Sequence, residues 1–449
     1  MFDPVTSPGP VSRIAGDDAE AVVESLTQDA RGVARINGKT TFIEGALPGE
    51  RVRFRYLRRR SRYDTGRALE IVERSPDRVE APCPHFGTCG GCTLQQLSSN
   101  AQLRSKERIL ADTLRHLGRV GPTRWLEPIV GPTTGYRRRA RLGVRLVPKK
   151  GGVLVGFRER RRSFITPLGD CLTLDPRLAA LLPGLPGLVA GLSRPDRVPQ
   201  IEMSAGDDTV AIVLRHLQQL TTDDMARLRD FAIEREIGVY VQPRDSTSVR
   251  PLWPEAGVAL TYRLPAFAAT LSFGVTDFVQ VNAAINRDLV QRTVSMLQVE
   301  ESDRVADLFC GVGNFSLPLA RRAARVIGYE ADTALVQRAR ENAASNGITN
   351  VTFEVADLYD ESGASSRENI RCDKLLLDPP RGGAMACLKA LPPRDLPCRI
   401  VYVSCNPATL ARDSEYLVHR LGYRLEAAGV ADMFPHTSHV EAVALYVRS

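Results

Sequence analysis

The sequence predicts an α/β protein in which a small β-barrel of the oligonucleotide-binding kind and a β-rich central domain precede a doubly wound α/β domain. Three observations predict this order. Short alternating segments separated by turn dipeptides come first, strand-rich sequence with a cysteine-rich loop follows, and apolar strands then alternate with helices to the end. With 449 residues and 43% apolar content, the chain can form more than one core. We assign residues 1–77 to the barrel, 78–275 to the central domain and 276–449 to the α/β domain.

Four strand-like segments between Ser12 and Ser75 predict the barrel, and Asn37-Gly38 and Pro48-Gly49 are typical turn dipeptides between them. The segments are Val33–Ile36, Thr40–Glu44, Glu50–Tyr56 and Arg67–Val72. Arginines on and beside the third segment alternate with aromatic residues, and this pattern favours RNA binding. A charged edge strand that resists aggregation is the alternative.

The positive charge is concentrated at the front of the chain. Residues 1–170 hold 31 Lys and Arg against 18 Asp and Glu, whereas the rest hold 29 against 34. A basic front half favours a polyanionic partner, because neutralising phosphates gives affinity without sequence preference. A merely solubilising surface is the alternative.

The sequence also predicts a cytoplasmic location without a membrane contact. The first 20 residues contain prolines and acids but no apolar run like that of a signal peptide, and no segment is apolar enough to span a bilayer. The nine cysteines are an odd number and partly clustered, which suggests metal binding or catalysis more than disulfides.

The central domain opens with three closely spaced cysteines, Cys83, Cys89 and Cys92, with Gly90-Gly91 allowing a tight turn around one centre. Three thiolates imply a fourth ligand, and Cys171 is the remaining cysteine before the α/β domain. Four thiolates suit zinc or an iron–sulfur cluster, and the spacing does not separate the two. A helix is predicted after the loop, from Asn100 to Leu117, ending at Gly118.

The last 150 residues contain six apolar strand segments separated by helical sequence, beginning after a helix near Asn282–Leu297. They are Arg304–Phe309, Arg325–Tyr329, Val351–Val355, Lys374–Leu377, Arg399–Val403 and Ala442–Val447.

A glycine turn follows the first of these strands, in the sequence Asp307 to Phe315, where backbone can approach a cofactor closely. Glu330 closes the next strand and can accept hydrogen bonds from ribose hydroxyls, and Asp357 closes the third and can reach an adenine edge. The turn is shorter than the dinucleotide fingerprint. It therefore favours an adenosyl ligand over NAD.

Two further predicted strands end in motifs with potentially catalytic side chains, Asp378-Pro-Pro-Arg381 and Ser404-Cys405-Asn406-Pro407. A thiolate that adds to carbon 6 of uracil makes carbon 5 electron-rich, so Cys405 is the predicted nucleophile. Asn406 and Pro407 resemble a helix start, which predicts a thiol facing a helix N-terminus and a lowered pKa. Glu441 is the predicted base for the carbon 5 proton, with His436 or His439 as the alternative.

The motifs taken together resemble the bacterial uracil-C5 RNA methyltransferases over nearly the whole chain. The resemblance rests on the cysteine loop with Gln95, Phe278-Val-Gln280-Val-Asn282, Asp307 to Phe315, Asp378 to Arg381 and Ser404 to Pro407. It is strongest to the 23S ribosomal RNA branch that carries an N-terminal TRAM barrel, since the tRNA branch lacks the barrel and the cysteine loop.

This resemblance implies a Rossmann-like domain that uses S-adenosylmethionine, ribosomal RNA as substrate, and a [4Fe-4S] cluster held by Cys83, Cys89, Cys92 and Cys171. It implies that Cys405 is the nucleophile and Glu441 the base. It further implies that the helix from Asn100 packs on the catalytic domain. Cofactor contacts are implied for Gln280, Phe309, Asn314, Glu330, Asp357 and Asp378. A monomer is expected.

Three kinds of alternative function fit parts of the sequence. Within the family, a tRNA uracil-C5 methyltransferase is the alternative. Asp378-Pro-Pro resembles the motif of adenine amino methyltransferases, but these usually place an aromatic residue where Arg381 stands, and a cytosine-C5 enzyme would carry a cysteine at this motif. From another class, a non-catalytic RNA-binding ribosome-assembly protein would need neither Cys405 nor Glu441.

Overall fold

The computed structural model describes residues 18–360, 370–392 and 394–448, and these form two compact units. The first unit contains the chain up to Pro82 together with Thr93–Ser105. The second contains Cys83–Cys92 and the chain from Lys106 onward. The predicted start of the barrel at Ser12 lies outside the described residues, as do the first 17 residues, for which the sequence analysis predicted no signal peptide.

The first unit is built on a six-stranded sheet with the order β1-β5-β6-β4-β3-β2. Its strands are β1 Asp18–Val22, β2 Ser25–Leu26, β3 Arg31–Ile36, β4 Lys39–Glu44, β5 Arg51–Arg59 and β6 Tyr63–Glu73. The four predicted segments correspond to β3 through β6. Asn37 and Gly38 both adopt positive φ angles, 49° and 78°, as a tight hairpin turn requires.

The arginines of β5 lie on the solvent face of this sheet, whereas Val52 and Phe54 between them are fully buried. Three of the five arginines of β5 contact an acid of a neighbouring strand. The pairs are Arg51 with Glu73, Arg53 with Glu70 at 2.6 Å, and Arg55 with Asp18 at 2.9 Å. In this part of the strand the face therefore alternates between positive and negative charge.

The helix α1, Ser99–His116, belongs to both units, with its first residues in the first unit and Lys106–His116 in the second. The sequence predicted it from Asn100 to Leu117. Gly118 follows, and a side chain there would lie 2.7 Å from the carbonyl oxygen of Ala411. Glycine therefore allows the chain to pass close to a later helix.

The central part of the second unit contains a six-stranded sheet with the order β13-β12-β11-β10-β8-β9. A two-stranded ribbon of β14 and β15 follows it. The strands are β8 Arg139–Val147, β9 Gly152–Gly156, β10 Gln200–Ala205, β11 Val210–Arg215, β12 Gly238–Gln242, β13 Arg250–Trp253, β14 Leu260–Leu264 and β15 Ala269–Phe273. The short strand β7, Arg124–Trp125, precedes them in the chain and belongs to the C-terminal sheet described next. The helices are α2 Pro176–Ala179, α3 Leu185–Ala190 and α4 Thr222–Arg235. The hairpin predicted at Lys149 to Gly152 joins β8 and β9.

The C-terminal part is the doubly wound α/β fold that the sequence predicted, with helices along a mostly parallel sheet ordered β18-β17-β16-β19-β20-β22-β21-β7. Its strands are β16 Arg304–Leu308, β17 Arg325–Glu330, β18 Val351–Val355, β19 Lys374–Leu377, β20 Arg399–Ser404, β21 Arg424–Ala431 and β22 Glu441–Val447. The helices are α5 Ala283–Leu297, α6 Ser316–Ala320, α7 Thr333–Ser345, α8 Met385–Lys389 and α9 Pro407–His419. The six predicted strands end within one residue of the observed ones.

One strand reverses direction, and this reversal positions the candidate site. β22 runs antiparallel to both β20 and β21, whereas β16 through β20 are parallel. The beginning of β22 therefore lies at the same edge of the sheet as the carboxyl ends of the parallel strands. A single core of buried side chains joins this sheet to the ribbon and to β11 and β12.

In the part of the chain that the structure describes, no helix combines the length and the apolar character needed to cross a membrane.

Candidate active site

The glycine turn after β16 forms the first wall of the site. Phe309, Gly311 and Gly313 have positive φ angles of 68°, 54° and 92°. A side chain at Gly313 would lie 2.6 Å from Leu317, so glycine is needed there for space as well as for conformation. The backbone N–H groups of Phe309 and Cys310 both donate to the Tyr329 carbonyl, which holds the turn against the end of β17.

Glu330 closes β17 and fixes the local backbone. Its Oε2 accepts from Gly311 N at 3.2 Å, and its Oε1 accepts from Ala331 N at 2.8 Å and Asp332 N at 3.1 Å. The carboxylate thus connects the glycine turn to the start of α7 and is held in one orientation. A carboxylate fixed beside a glycine turn is suited to the hydroxyls of a ribose.

Asn314 lies at the end of the glycine turn and is held by two neighbours that the sequence did not indicate. Its Oδ1 accepts from Tyr262 OH and from Asn286 Nδ2, both at 2.9 Å, and its Nδ2 donates to Asn286 Oδ1 at 3.0 Å. The β14–β15 ribbon and α5 therefore support the turn from behind. Only the folded structure reveals this pairing, because Tyr262 and Asn286 belong to no recognisable sequence motif.

The two motifs with potentially catalytic side chains meet the start of β22 through strand register. Ser404, the last residue of β20, pairs with Ala442 of β22. Cys405 directly follows Ser404 and Glu441 directly precedes Ala442, so the two residues lie next to each other on adjacent strands. Asp378 comes directly after β19, which pairs with β20 on its other side. The sheet thus brings together side chains that lie up to 63 positions apart in the sequence.

All eight residues predicted for the cofactor and the chemistry line one cavity of about 690 Å³, a size typical of small-molecule sites. They are Gln280, Phe309, Asn314, Glu330, Asp357, Asp378, Cys405 and Glu441. The lining also includes the glycine turn and apolar residues that suit an adenosyl group. Arg381, Phe434, Thr437 and His439 line the same cavity.

Two acids of this cavity, Asp378 and Glu441, are difficult to ionise because they are shielded from water. Burial and the neighbouring Asp307 raise the pKa of Asp378 to about 7. Glu441 is 3% exposed, and burial together with Asp378 raises its pKa well above the usual range. Glu441 must therefore lose its own proton before it can act as a base. Once ionised, a carboxylate with a raised pKa is a stronger base than an ordinary one.

The expectation of a lowered pKa at Cys405 is wrong for the protein by itself. Burial, Glu441 and Asp378 raise the pKa of this thiol to about 11, and the positive charge of Arg381 offsets only part of the effect. The helix start was predicted correctly, since the Asn406 side chain caps α9 by accepting from Ala408 N at 3.1 Å and Pro407 is the first helical residue. Loss of solvent and two nearby acids outweigh this helix terminus.

The two histidines differ in their access to the cavity. His439 lines it, and its Nδ1 lies 3.3 Å from Arg381 Nη2. Partial burial and the charge of Arg381 lower the pKa of His439. His436 is buried and is not among the residues that line the cavity.

The four predicted metal ligands lie in the second unit, and all four thiols are half-buried. Burial raises the pKa of Cys89, and the charges of Cys171 and Cys83 raise it further, which means that these sulfurs lie near one another. Across residues 18–360, 370–392 and 394–448, however, no group of three or more His, Cys, Asp and Glu side chains is arranged to hold a metal ion. The loop borders the cavity, because Gly91 is one of its lining residues.

Two family models match the chain. The TRAM domain model matches residues 15–68, and the tRNA (Uracil-5-)-methyltransferase model matches residues 272–449.

Relatives and a solved structure extend the similarity over almost the whole chain. A 23S rRNA (uracil(1939)-C(5))-methyltransferase of Azoarcus sp. (strain BH72) is 53% identical and covers 95% of this chain and 99% of its own. One of the same name from Aromatoleum aromaticum is 50% identical over 96% of this chain and 99% of its own. The structure of Pyrococcus abyssi tRNA (uracil-54, C5)-methyltransferase with S-adenosyl-L-homocysteine aligns with a TM-score of 0.72 at 25% identity, covering 96% and 100% of the two chains.

We expect the Cys405 thiol to react slowly with iodoacetamide in the protein alone, since only the thiolate is nucleophilic and its pKa is raised. The rate of alkylation, followed by peptide mass spectrometry between pH 7 and 10.5, should still be rising at the upper end. The exposed Cys398 serves as an internal control for reagent access. A Cys405 rate that reaches its plateau below pH 8 would contradict the raised pKa.

Proposed function

The chain belongs to the bacterial 23S ribosomal RNA uracil-C5 methyltransferases, and from this we propose that it methylates the uracil equivalent to position 1939, the position that its relatives' names specify. The family uses S-adenosylmethionine as the methyl donor. The observation that carries the proposal is the meeting of Cys405, Glu441 and Asp378 in one cavity with the adenosyl-type turn. This arrangement is what a methyl transfer between a nucleoside-linked sulfonium and a pyrimidine carbon requires.

The proposed reaction begins when the Cys405 thiolate adds to carbon 6 of the uracil. The electrons of the 5,6 double bond move toward carbon 5 and the carbonyl oxygen at position 4, giving an enolate. Carbon 5 then attacks the methyl group, and the bond between methyl and sulfonium breaks with its electron pair returning to sulfur, which yields S-adenosylhomocysteine. Glu441 removes the proton from carbon 5, the double bond forms again, and the thiolate leaves.

The raised pKa of Cys405 means that this thiol must lose a proton before it can attack. The methyl donor carries a positive sulfonium, which enters a cavity lined by Glu330, Asp378 and Glu441. A cation close to a buried acid favours the charged form of that acid. We therefore assign to the donor a second effect, which is to lower the pKa of Cys405 and release its proton to solvent.

We expect S-adenosylmethionine to accelerate alkylation of Cys405 at pH 8 relative to S-adenosylhomocysteine, which lacks both the methyl group and the sulfonium charge. Because the thiolate fraction changes about tenfold for each unit of pKa, a shift of one unit is readily measured. The additional methyl group can only hinder the reagent, so a faster rate with S-adenosylmethionine reports the charge effect. Equal rates with the two ligands would disprove this activation.

We expect Cys405→Ala to abolish methyl transfer while RNA affinity stays within about twofold, because one cavity side chain adds little to a polyanion contact. Glu441→Gln should instead accumulate a covalent RNA complex, since addition and methyl transfer precede the step that needs the base. The measurement is a denaturing gel shift and mass spectrometry with ribosomal RNA fragments. RNA containing 5-fluorouracil should trap the wild-type protein on Cys405, and adduct formation by Cys405→Ala would refute the nucleophile assignment.

The remaining roles are proposals of the same kind. We propose that Gln280, Phe309, Asn314, Glu330, Asp357 and Asp378 contact the methyl donor, which all of them can do from the cavity wall. The domain limits at residues 77 and 275 remain predictions, as do the cytoplasmic location and the monomeric state. For RNA binding by the barrel, the supporting feature is the β5–β6 hairpin, where Arg59 lies 4.1 Å from the Tyr56 ring and Arg60 lies 5.4 Å from the Tyr63 ring.

We propose that Cys83, Cys89, Cys92 and Cys171 hold a [4Fe-4S] cluster with a structural role. The donor set supports it, since four half-buried thiols, of which Cys83 and Cys171 both act on Cys89, suit a thiolate-bound centre. Such a cluster would supply rigidity to the 83–92 loop. The loop is also held by backbone bonds to the segment after β9, where Gly90 N donates to Arg158 O at 2.9 Å and Arg160 N donates to Thr88 O at 2.8 Å.

We expect about four iron and four sulfide per chain in anaerobically purified protein. Cys171→Ser should lower the iron content, whereas Cys398→Ser, a thiol outside the set, should leave it unchanged. Stoichiometric zinc without sulfide would refute the iron–sulfur cluster but would still support the four cysteines as metal ligands. An absence of both metals in freshly prepared protein would refute the ligand set.

A further inference from the structure

The 432–440 loop, which joins β21 to β22, forms a wall of the cavity beside Cys405. It contributes Phe434, Thr437 and His439 to the lining and leads directly into Glu441. His439 Nδ1 lies 3.3 Å from Arg381 Nη2, and the rings of His439 and Phe434 lie 5.4 Å apart. Arg381 in turn lies close enough to Cys405 for its charge to act on the thiol. The shape of this loop therefore bears on the side of the cavity that holds the nucleophile.

The loop does not hold its shape by regular secondary structure. His436 adopts a φ of 65°, an unfavourable conformation for a residue with a side chain. Within the loop, Thr437 Oγ1 donates to Phe434 O at 2.9 Å and His439 N donates to Thr437 Oγ1 at 3.3 Å. A segment without regular secondary structure that contains a strained residue needs support from its surroundings.

That support includes a buried lysine from α1, more than 300 residues earlier in the chain. Lys106 is 1% exposed, and its Nζ donates to Asp432 Oδ1 at 2.5 Å and to the Phe434 carbonyl at 2.9 Å. Tyr136 adds a bond from its hydroxyl to Pro435 O at 2.9 Å. The lysine thus bonds the first residue of the loop and the backbone of a residue that lines the cavity.

A buried lysine contributes little net stability. The free energy needed to remove its ammonium group from water offsets much of the attraction in its ion pair, and proteins in which apolar residues replace such a pair are often as stable. The gain from such a pair is a unique geometry, because a charged donor tolerates few alternative arrangements of its acceptors. For Lys106, the geometry so fixed is that of the 432–440 loop.

We propose that Lys106 is a positioning residue for methyl transfer, which holds the 432–440 loop in the shape that receives the target uracil over Cys405. The inference rests on the proposed function of this cavity. It predicts that loss of Lys106 affects capture of the pyrimidine and leaves binding of the methyl donor unchanged. A purely stabilising lysine would affect both equally, through the folded fraction.

The chain offers a matched control in a second buried lysine. Lys374 Nζ lies 2.5 Å from Asp303 Oδ2 and also donates to the Gln298 carbonyl, so it too bonds one carboxylate and one backbone oxygen. Its side chain is 6% exposed. Lys374 begins β19, at the opposite end of that strand from Asp378, and is not among the residues that line the cavity.

The experiment compares Lys106→Met with Lys374→Met in the full-length protein. Covalent capture of RNA containing 5-fluorouracil is measured under single-turnover conditions, with S-adenosylmethionine affinity by calorimetry. We expect capture by Lys106→Met to be slower by roughly 10- to 100-fold, since displacements near 1 Å at a reacting centre have effects of this size. Donor affinity should stay within about twofold, and Lys374→Met should change neither quantity beyond its folded fraction.

Hydrogen–deuterium exchange of peptides covering residues 432–440 gives a readout that does not depend on catalysis. Exchange should increase in Lys106→Met and not in Lys374→Met. Equal capture rates for the two variants, or unchanged exchange in the loop, would overturn the inference. If the wild-type protein fails to form the adduct while exchange behaves as expected, the proposed function fails and the positioning of the loop stands.

A double variant covers the case in which Lys106→Met does not fold. Lys106→Met with Asp432→Leu removes both charges and leaves no buried charge unpaired, so the fold should tolerate it. The bond to the Phe434 carbonyl is lost all the same. Slow capture by the folded double variant supports the inference, and capture at the wild-type rate contradicts it.

Discussion

The register between β20 and β22 is the constraint on which the active site depends. Because β22 runs antiparallel to its neighbour, its first residue lies at the edge where the parallel strands end, and the pairing of Ser404 with Ala442 sets Glu441 beside Cys405. A slip of one residue would turn the alternate side chains of β22 to the other face of the sheet. Nucleophile and base are therefore aligned by backbone hydrogen bonds, and their side chains need no direct bond to one another.

The same placement determines the electrostatics of the cavity. Side chains at the end of a fully buried strand lose contact with water, so Cys405 and Glu441 both favour their neutral forms. A cavity that holds neutral acids has little intrinsic reactivity toward solvent or stray electrophiles. Under the activation proposed above, the cationic donor supplies the positive charge that α9 and Arg381 supply only in part. Chemistry is then linked to the presence of the methyl donor.

The sequence predicted the strands of the α/β domain and the residues of the cavity well, because both have local signals. Apolar strand segments and glycine turns can be recognised in short windows, and a strand end indicates which side chains share an edge. It did not predict β7 and β21, since β7 is a two-residue edge strand and β21 contains polar and small residues such as Arg424 and Gly429. The pKa of Cys405 was predicted with the wrong sign. A capping motif is visible in sequence, whereas burial and the approach of Glu441 depend on the tertiary fold.

Contacts between distant segments were the least predictable part of the structure. The arginines of β5 and Lys106 illustrate the reason, because their partners lie far away in the sequence. The arginines of β5 suggest a free cationic surface when counted along the chain, yet Arg53 and Arg55 each contact an acid from another strand. Exposed pairs of this kind contribute little to stability, so a phosphate can replace the acid at low cost, and RNA affinity through this face should depend strongly on salt. Lys106 is the opposite case. In sequence it is one more basic residue on a polar helix, whereas in the structure it is buried against Asp432, at the start of the loop that supplies part of the cavity lining. Whether a charged residue serves binding or architecture is thus decided by its partner and its exposure, which composition does not reveal.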